Sequence, residues 1–379
     1  MNTTGLYLHI PFCKSKCRYC DFCSFPHPKD ETVNRYVDAL VAEIEEGRLR
    51  LTNHYGTPPT IDTVYFGGGT PTLLPLPLWN KIMEAIHTRF LLSHDAEITA
   101  ECNPATADIE YLRSLRTLGI NRLSIGAQSM NDGELRQLGR LHKSEDVVRA
   151  VSEARTAGFD NLSVDVMFGI PDQTLNTLRQ TLEALTALSP KHISVYGLQI
   201  EEGTYFGRHA SELALPDEDT EGAMYADTLD FLSRKGLPQY EISNFACPGF
   251  ESRHNFKYWR RHDYLGLGLA AHSCLGDLRF SNTESMEDYL SARKEADVQH
   301  ISAHDVLCEK IMLGLRLAEG LDLSALARDY GDAVYDYRKA FSPFIARNLM
   351  QEADGRLFFT REGMYVSNAI LADVLDFDE

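Results

Sequence analysis

The sequence predicts an α/β protein whose core is a partial (β/α)6, TIM-like barrel, followed by a smaller helical, winged-helix-like domain. Strand-like and helix-like runs alternate through roughly the first half of the 379 residues. Chemically unusual residues follow the end of each predicted strand, as in barrels that assemble a site from successive strand ends. Near residue 302 the alternation gives way to helices with a short hairpin. These three observations predict the fold class.

The composition is that of a globular chain, with 44% hydrophobic and 24% charged residues and a formal net charge of −18. No apolar run approaches the ~20 residues needed to cross a bilayer, and the N-terminus lacks the pattern of a secretory signal. We therefore expect a cytoplasmic protein that is not transmembrane, where reduced thiols can bind metals. Because an acidic surface repels phosphate backbones, we expect no nucleic-acid partner.

The predicted strands are short apolar runs that end in small or polar residues, namely Leu6–Ile10, Thr63–Phe66, Glu97–Glu101, Arg122–Ile125, Leu162–Met167 and His192–Gly197. The predicted helices are amphipathic runs, at about Val33–Leu49, Leu78–Arg89, Ile109–Leu118, Glu134–Leu138, Ser144–Ala157, Leu175–Leu188 and Thr220–Lys235. In the first of them Val37, Leu40 and Ile44 recur three and four residues apart, on one helix face. The alternation predicts a parallel sheet with right-handed crossovers.

The first predicted strand leads into a cysteine-rich loop. Cys13, Cys17 and Cys20 have the spacing C-x3-C-x2-C, and Cys23 follows closely. Three thiolates on one short loop can hold three corners of a cubane iron–sulfur cluster and leave one iron open to a small molecule. A zinc site with Cys23 as the fourth ligand is the alternative. A disulfide framework fits poorly with a large chain that has no secretory signal.

The later strand ends also carry candidate functional residues. Gly67, Gly68 and Gly69 precede Thr70, and glycines after a strand let the backbone approach a ligand closely. A plain tight turn is the alternative interpretation of this triplet. Further along, the predicted strands contain or lead to polar side chains, namely Glu101, Gln128, Arg140 and Asp165. Taken singly, each of these also fits a solvated strand edge or a helix cap.

The cysteine spacing, with Phe12, Tyr19 and Phe22 around it, resembles the signature of the radical SAM enzymes. The resemblance implies a partial six-stranded barrel, a [4Fe–4S] cluster on the three cysteines and S-adenosylmethionine bound at the open iron. The later residues resemble the oxygen-independent coproporphyrinogen III oxidase-like family. That resemblance implies a set of S-adenosylmethionine-binding residues: Tyr7, Tyr19, Gly67, Gly68, Gly69, Thr70, Glu101, Gln128, Arg140 and Asp165. A guanidinium binds a carboxylate in a bidentate way, which suits Arg140 to the methionine carboxylate.

A second motif, His-Asn-x-x-Tyr-Trp, lies at His254–Trp259. A lone histidine among aromatic residues is ordinarily packed and hydrogen-bonded. The motif nevertheless resembles that of the HemW-type haem chaperones, and the resemblance covers nearly the whole chain. It implies a protein that binds haem as cargo and delivers it to haem-accepting proteins, with respiratory proteins among the candidates. His254 is the candidate haem ligand, and its rivals are Cys23, Cys247 and His272.

The alternative within the same family is the oxygen-independent coproporphyrinogen III oxidase, which decarboxylates two propionates by radical chemistry. Its cysteine motif resembles C-x3-C-x2-C-x-C, whereas here Phe22 takes the fourth position and Cys23 comes one residue later. The oxidase also has a longer N-terminal arm before its cluster. These differences favour a haem chaperone that keeps the radical SAM fold and cofactor site without the oxidase activity.

We expect three regions: the barrel at 1–236, a connecting segment with the His254 motif at 237–301, and a C-terminal HemN-like domain at 302–379. In the last region, helices over 306–317, 323–330 and 335–350 precede two expected strands, Arg356–Phe359 and Met364–Ser367, which turn at 361–363. This order is winged-helix-like. DNA binding is disfavoured because the segment has no basic stripe. In the resembled family this domain caps the open side of the barrel.

Overall fold

The computed structural model describes residues 3–377, so the ends of the first and last predicted domains, 1–2 and 378–379, lie outside it. Its core is a run of parallel strands in which each strand pairs with the next along the chain. They are β1 (Thr3–Ile10), β2 (Thr60–Gly68), β3 (Leu91–Cys102), β4 (Arg122–Gln128), β5 (Asn161–Phe168) and β6 (His192–Gly197). This sequential parallel order agrees with the predicted (β/α)6 barrel.

Helices connect these strands and cover the outside of the sheet. They are α1 (Asp30–Tyr55), α2 (Leu76–Arg89), α3 (Ile109–Thr117), α4 (Asp132–Gln137), α5 (Ser144–Thr156), α6 (Leu175–Ala187) and α7 (Glu218–Arg234). The predicted face of α1 is buried at Val37, Leu40 and Ile44. The helix is longer than predicted and is capped after Tyr55 by Gly56, whose φ of 74° is readily adopted by glycine.

Residues 239–300 extend the same sheet at both of its edges. The added strands are β7 (Gln239–Glu241), β8 (Asn244–Ala246), β9 (Tyr264–Leu267), β10 (His272–Leu275), β11 (Leu278–Asn282) and β12 (Glu295–His300). The added helices are α8 (Arg253–Trp259) and α9 (Met286–Leu290). The complete order is β12-β11-β10-β9-β1-β2-β3-β4-β5-β6-β8-β7. The expected connecting segment therefore pairs with the barrel strands on both sides, and its boundaries as a domain stay a proposal.

The two edges of this sheet differ in their surroundings. At β7, Tyr240 O accepts the backbone N–H of Ala318, and Ile242 donates to Arg316 O, both at 3.0 Å. The C-terminal region thus covers that edge. At the other edge, all the residues of β12 are exposed.

The C-terminal region is mainly helical with one small sheet. Its elements are α10 (Ala303–Gly314), β13 (Leu321–Asp322), α11 (Leu323–Tyr330), α12 (Ala333–Ala340), α13 (Ser342–Ala346), β14 (Met350–Ala353), β15 (Arg356–Phe359), α14 (Arg361–Tyr365) and α15 (Ser367–Val374). The prediction of a strand at Met364–Ser367 is wrong, because these residues lie at the end of α14, in the following turn and at the start of α15. The partner of β15 is the preceding β14. The hairpin turns at Asp354 and Gly355, both with positive φ. Thr360 instead caps α14 by accepting the N–H of Gly363.

None of the helices between residues 3 and 377 combines the length and the apolar character that crossing a bilayer requires.

Glu43 of α1 holds the sheet extension against the barrel. Its carboxylate is buried and accepts hydrogen bonds from the Gly268 backbone, the Asn282 amide and the Tyr289 hydroxyl. Burial raises the pKa of Glu43, although these three donors oppose the increase. A raised pKa means that the contribution of this group to stability is fully present in mild acid and decreases as pH rises through its folded-state value.

We predict that Glu43→Ala destabilises the protein by about 2–4 kcal/mol, because it leaves buried donors without an acceptor. Chemical denaturation of purified protein measures the loss. The matched control is Glu46→Ala on the same helix, which removes an exposed ion pair with Lys294 and should cost less than about 1 kcal/mol. Equal denaturation midpoints for the two variants would contradict the role given to Glu43.

Candidate functional site

The cysteine loop and the glycine loop are joined by backbone hydrogen bonds. The N–H of Gly69 donates to Ile10 O at 2.9 Å, and that of Thr70 donates to Phe12 O at 2.8 Å. A Cβ atom on Gly69 would lie 2.6 Å from Phe12 O, so only glycine allows this approach. The loop after β1 is thereby placed beside the loop after β2, at the carboxyl ends of the strands.

A cavity of about 680 Å³ opens at this end of the barrel. It brings together most of the sequence-predicted site residues: Cys13, Cys17, Tyr19, Cys20, Gly68, Gly69, Thr70, Glu101, Gln128, Arg140 and Asp165. Two predicted cofactor contacts, Tyr7 and Gly67, are not part of the lining. The Tyr7 ring packs behind Tyr65 with 6.2 Å between ring centroids. Its hydroxyl shares a hydrogen bond with the His9 imidazole.

The three cysteines fit an iron–sulfur cluster by their common exposure to this cavity. Thr70 donates to Cys13 Sγ at 3.8 Å, and Arg140 donates to Cys17 Sγ at 3.5 Å. Burial raises the pKa of Cys13, and the hydrogen bond from Thr70 opposes the increase. Burial raises the pKa of Cys20 to about 11, so metal loading must displace a proton there. Cys23 Sγ donates instead to Glu284 O at 3.8 Å.

Within the described residues, no three His, Cys, Asp or Glu side chains converge on a single metal ion. In a cubane cluster each thiolate binds a different iron, so the sulfurs do not have to converge on one point. Three cysteines that line one cavity fit this arrangement.

Glu101 is held by donors on both of its oxygens. Oε1 accepts from the Tyr65 hydroxyl at 3.0 Å, and Oε2 accepts from the Gly68 N–H at 3.1 Å. A Cβ on Gly67 would lie 3.0 Å from Oε1, so a small residue is favoured there too. Burial, with the nearby Asp165 carboxylate, raises the pKa of Glu101 to about 7. This carboxylate is suited to bind an ammonium group.

Arg140 and Asp165 offer complementary ligand contacts in the same cavity. Arg140 Nη2 donates to Gly126 O at 2.7 Å, while its buried Nε has no hydrogen-bond partner in the described part of the chain. An unpaired guanidinium N–H suits a ligand carboxylate. Asp165 accepts from Ser124 at 3.0 and 3.1 Å, and burial raises its pKa. Gln128 ends β4 with a φ of 65°, which is uncommon for a non-glycine residue. The register of β4 against β5 shifts between Ile125 and Gln128, beside the cavity.

Sequence reasoning missed several residues of the cavity. Tyr65 and Arg122 line it, as does Asn255 of the second motif. Arg122 is only 2% exposed, and among residues 3–377 its Nε has no hydrogen-bond partner. The available signal was a charged residue opening a strand that is otherwise apolar and buried. Arg122 thus supplies a buried positive charge near the Glu101 and Asp165 carboxylates and opposes the rise in the pKa of both.

His254 lies inside the protein, 1% exposed, beneath this cavity. Its Nδ1 is 2.8 Å from Thr63 Oγ1 and its Nε2 is 2.8 Å from the Tyr258 hydroxyl. Burial lowers the pKa of His254 to about 3, so the ring is neutral. Both nitrogens are engaged in this conformation, and the role of His254 as a haem ligand stays a prediction. Of its rivals, Cys23 and Cys247 are partly buried and His272 is exposed.

Comparisons with known proteins agree with this architecture. The profile described as the radical SAM superfamily matches residues 7–185, and that of the HemN C-terminal domain matches residues 301–366. In structure the chain is similar to coproporphyrinogen III oxidase (HemN) from Escherichia coli, with a TM-score of 0.85 over 98% of this chain and 90% of that one. At 23% sequence identity this similarity shows the fold.

The sequence is also similar to proteins named heme chaperone HemW. The Bacillus subtilis protein is 33% identical, over 97% of this chain and 98% of its own length. The Escherichia coli protein is 32% identical over 97% of each chain. The Synechocystis protein is 36% identical over 85% of this chain and 80% of its own. These matches confirm the resemblance seen in the motifs, and the chain belongs to the HemW family of the radical SAM superfamily.

Proposed function

We propose that the protein is a haem chaperone that carries a [4Fe–4S] cluster and S-adenosylmethionine, binds haem as cargo and delivers it to acceptor proteins. The observation that carries the cofactor part is the single cavity lined by three cysteines and by charged groups suited to an amino acid. Relatives of about one-third identity along nearly the whole chain are named heme chaperones, which supports the haem part.

In this proposal Cys13, Cys17 and Cys20 bind the cluster and leave one iron for a further ligand. When bound, the cluster supplies one-electron chemistry to a molecule on that iron. Thr70 and Arg140 donate hydrogen bonds to two of the three sulfurs and so help to hold them at the cavity.

The remaining cavity residues hold S-adenosylmethionine by complementary charge. Glu101 binds the ammonium group, and Arg140 binds the carboxylate through its unpaired Nε. Asp165 accepts the ribose hydroxyls, since a carboxylate offers about four lone-pair sites and its protein donors are Ser124, Ser163 and Ser194. Tyr19 and Gln128 form walls of the same cavity. Together these groups orient the cofactor before any chemistry occurs.

The cellular compartment and the acceptor proteins are also part of this proposal. All eight cysteines are free thiols, which fits the reducing cytoplasm. We take respiratory haem proteins as candidate acceptors. An iron bond to His254 requires one ring nitrogen of this buried side chain to give up its hydrogen bond, whereas the exposed His272 is accessible as it stands.

We predict that Cys13→Ser, Cys17→Ser or Cys20→Ser abolishes the brown cluster chromophore after anaerobic reconstitution, because two thiolates cannot secure the cluster. Iron and sulfide analysis alongside visible absorption measures the loss. Cys23→Ser is the matched control from the same loop and should keep both iron and colour. Loss of the cluster in Cys23→Ser as complete as in Cys17→Ser would refute the open-iron site.

We predict that the affinity for S-adenosylmethionine is highest between about pH 7 and pH 8. Below pH 7 the free Glu101 carboxylate is increasingly protonated, so affinity falls by up to about tenfold per pH unit. Above about pH 8 the ligand's α-amino group loses its charge. Calorimetry on cluster-loaded protein across this range measures both limbs. Glu101→Gln should flatten the acidic limb, and an unchanged acidic limb in that variant would remove Glu101 from the site.

We predict that the wild-type protein binds haem saturably and does not decarboxylate coproporphyrinogen III. Phe22 stands where the oxidase motif has a further cysteine. A Soret titration measures haem binding, and product analysis under anaerobic reduction with S-adenosylmethionine measures decarboxylation. Protoporphyrinogen IX among the products would overturn the chaperone assignment, as would a Soret band that never saturates.

A further inference from the structure

Helix α8, which carries the His-Asn-x-x-Tyr-Trp motif, is fastened to strands β2 and β3. Glu97 of β3 accepts the backbone N–H of Arg253 at 3.2 Å and that of His254 at 3.1 Å. Lys257 forms an ion pair with Asp62 of β2 at 2.7 Å, and the lysine side chain is only 5% exposed. This ion pair joins α8 to β2. If the helix moved away from the strand, the buried lysine would lose its partner, which is unfavourable.

The His254 imidazole is fixed in its plane and supports an aromatic ring. Hydrogen bonds to Thr63 and Tyr258 hold its two nitrogens. Its flat face stacks on the Tyr65 ring, with 5.3 Å between centroids and an interplanar angle of 28°. Such contacts between aromatic rings contribute about 0.5–1.5 kcal/mol beyond the area they bury. The histidine therefore fixes the position of Tyr65 from below.

Tyr65 in turn sets the orientation of Glu101. Its hydroxyl is the donor to one carboxylate oxygen, while the Gly68 N–H is the donor to the other. With both oxygens held, the carboxylate is fixed where it lines the cavity. If the Tyr65 ring moved, one oxygen would lose its donor and the carboxylate could rotate.

We infer that His254 is a positioning residue of the S-adenosylmethionine site: it holds Tyr65, and Tyr65 holds Glu101. The inference rests on the proposed function, since the cofactor site is part of that proposal. It gives α8 a role in the affinity for S-adenosylmethionine, and this role does not depend on whether His254 binds haem iron. The motif is therefore connected, through a column of stacked and hydrogen-bonded side chains, to the group that binds the ligand's ammonium.

The test measures S-adenosylmethionine affinity by calorimetry, from about pH 6 to pH 8.5, on cluster-loaded variants. Tyr65→Phe should weaken binding about tenfold, because it removes a hydrogen bond to a charged group. The acidic limb should also move to higher pH, since the ionised carboxylate loses a donor. His254→Ala should weaken binding and move that limb in the same direction. His254→Phe keeps a flat ring against Tyr65 and should remain close to wild type.

The double variant Tyr65→Phe/His254→Ala should bind no more weakly than Tyr65→Phe alone, because both changes act through one hydrogen bond. His192→Ala is the matched control. Its imidazole is also buried with both nitrogens bonded, to Ser163 at 2.8 Å and Tyr240 at 2.9 Å, but it does not stack on Tyr65. The acidic limb of this control should stay at its wild-type position.

A wild-type acidic limb in His254→Ala, together with a shifted limb in Tyr65→Phe, would overturn the inference. Should His254→Ala fail to fold, His254→Asn lacks the ring but stays polar and provides the same comparison. A wild-type protein that binds no S-adenosylmethionine at any pH would instead defeat the proposed function, so the two failures are distinguishable.

Discussion

The close approach of the glycine loop to the end of β1 is the constraint on which the site depends. Gly69 lies against the backbone of Ile10 and Phe12, where any side chain would collide with a carbonyl oxygen. The two backbone hydrogen bonds there fix the position of the cysteine loop at the carboxyl end of the barrel. Because the strands are parallel and in chain order, every later strand end meets this pair of loops across one cavity. A loop displaced here would separate the thiols from the charged residues that face them.

The chemistry of the cavity depends on charges that are buried but not fully paired. Burial raises the pKa of Glu101, and repulsion from the nearby Asp165 carboxylate adds to the increase. Arg122 and Arg140 offset this repulsion without forming close ion pairs with the two carboxylates. A binding site gains from this arrangement, because groups that already satisfy each other have little to offer a ligand. Buried charges without close partners destabilise the protein, and a bound ligand that pairs with them offsets this loss.

Much of this architecture could be predicted from the sequence because its signals are local. The three-cysteine spacing, the glycine triplet and the alternation of strand and helix each need only a short window. The surroundings of His254 could not be predicted, because Thr63 and Tyr65 are about 190 residues away and only the pairing of β2 with its neighbours brings them there. The place of Arg122 in the cavity could not be predicted either, because the sequence does not show which side chains of a strand point into the barrel.

The hairpin in the C-terminal region shows a different limit. Asp354-Gly355 and Arg361-Glu362-Gly363 are both turn-like in composition, and a hydrogen bond from the Gly363 N–H to Thr360 makes the second one a helix start. Both turn-like segments can be recognised in the sequence. Which of them closes the hairpin depends on which neighbouring segment pairs with β15. The packing of β14 against β15 decides it.

The bare strand β12 has a consequence for how copies of the protein behave toward each other. An unpaired strand edge is a template for another chain, and proteins blunt such edges with charge. Here Asp297 stands on the exposed strand beside Glu295, which is ion-paired with Arg50, and Val298 is its large apolar residue. Two copies meeting edge to edge would bring their Asp297 carboxylates close to each other, and the repulsion would oppose the shared sheet. This protection against aggregation is electrostatic, so it weakens at high ionic strength.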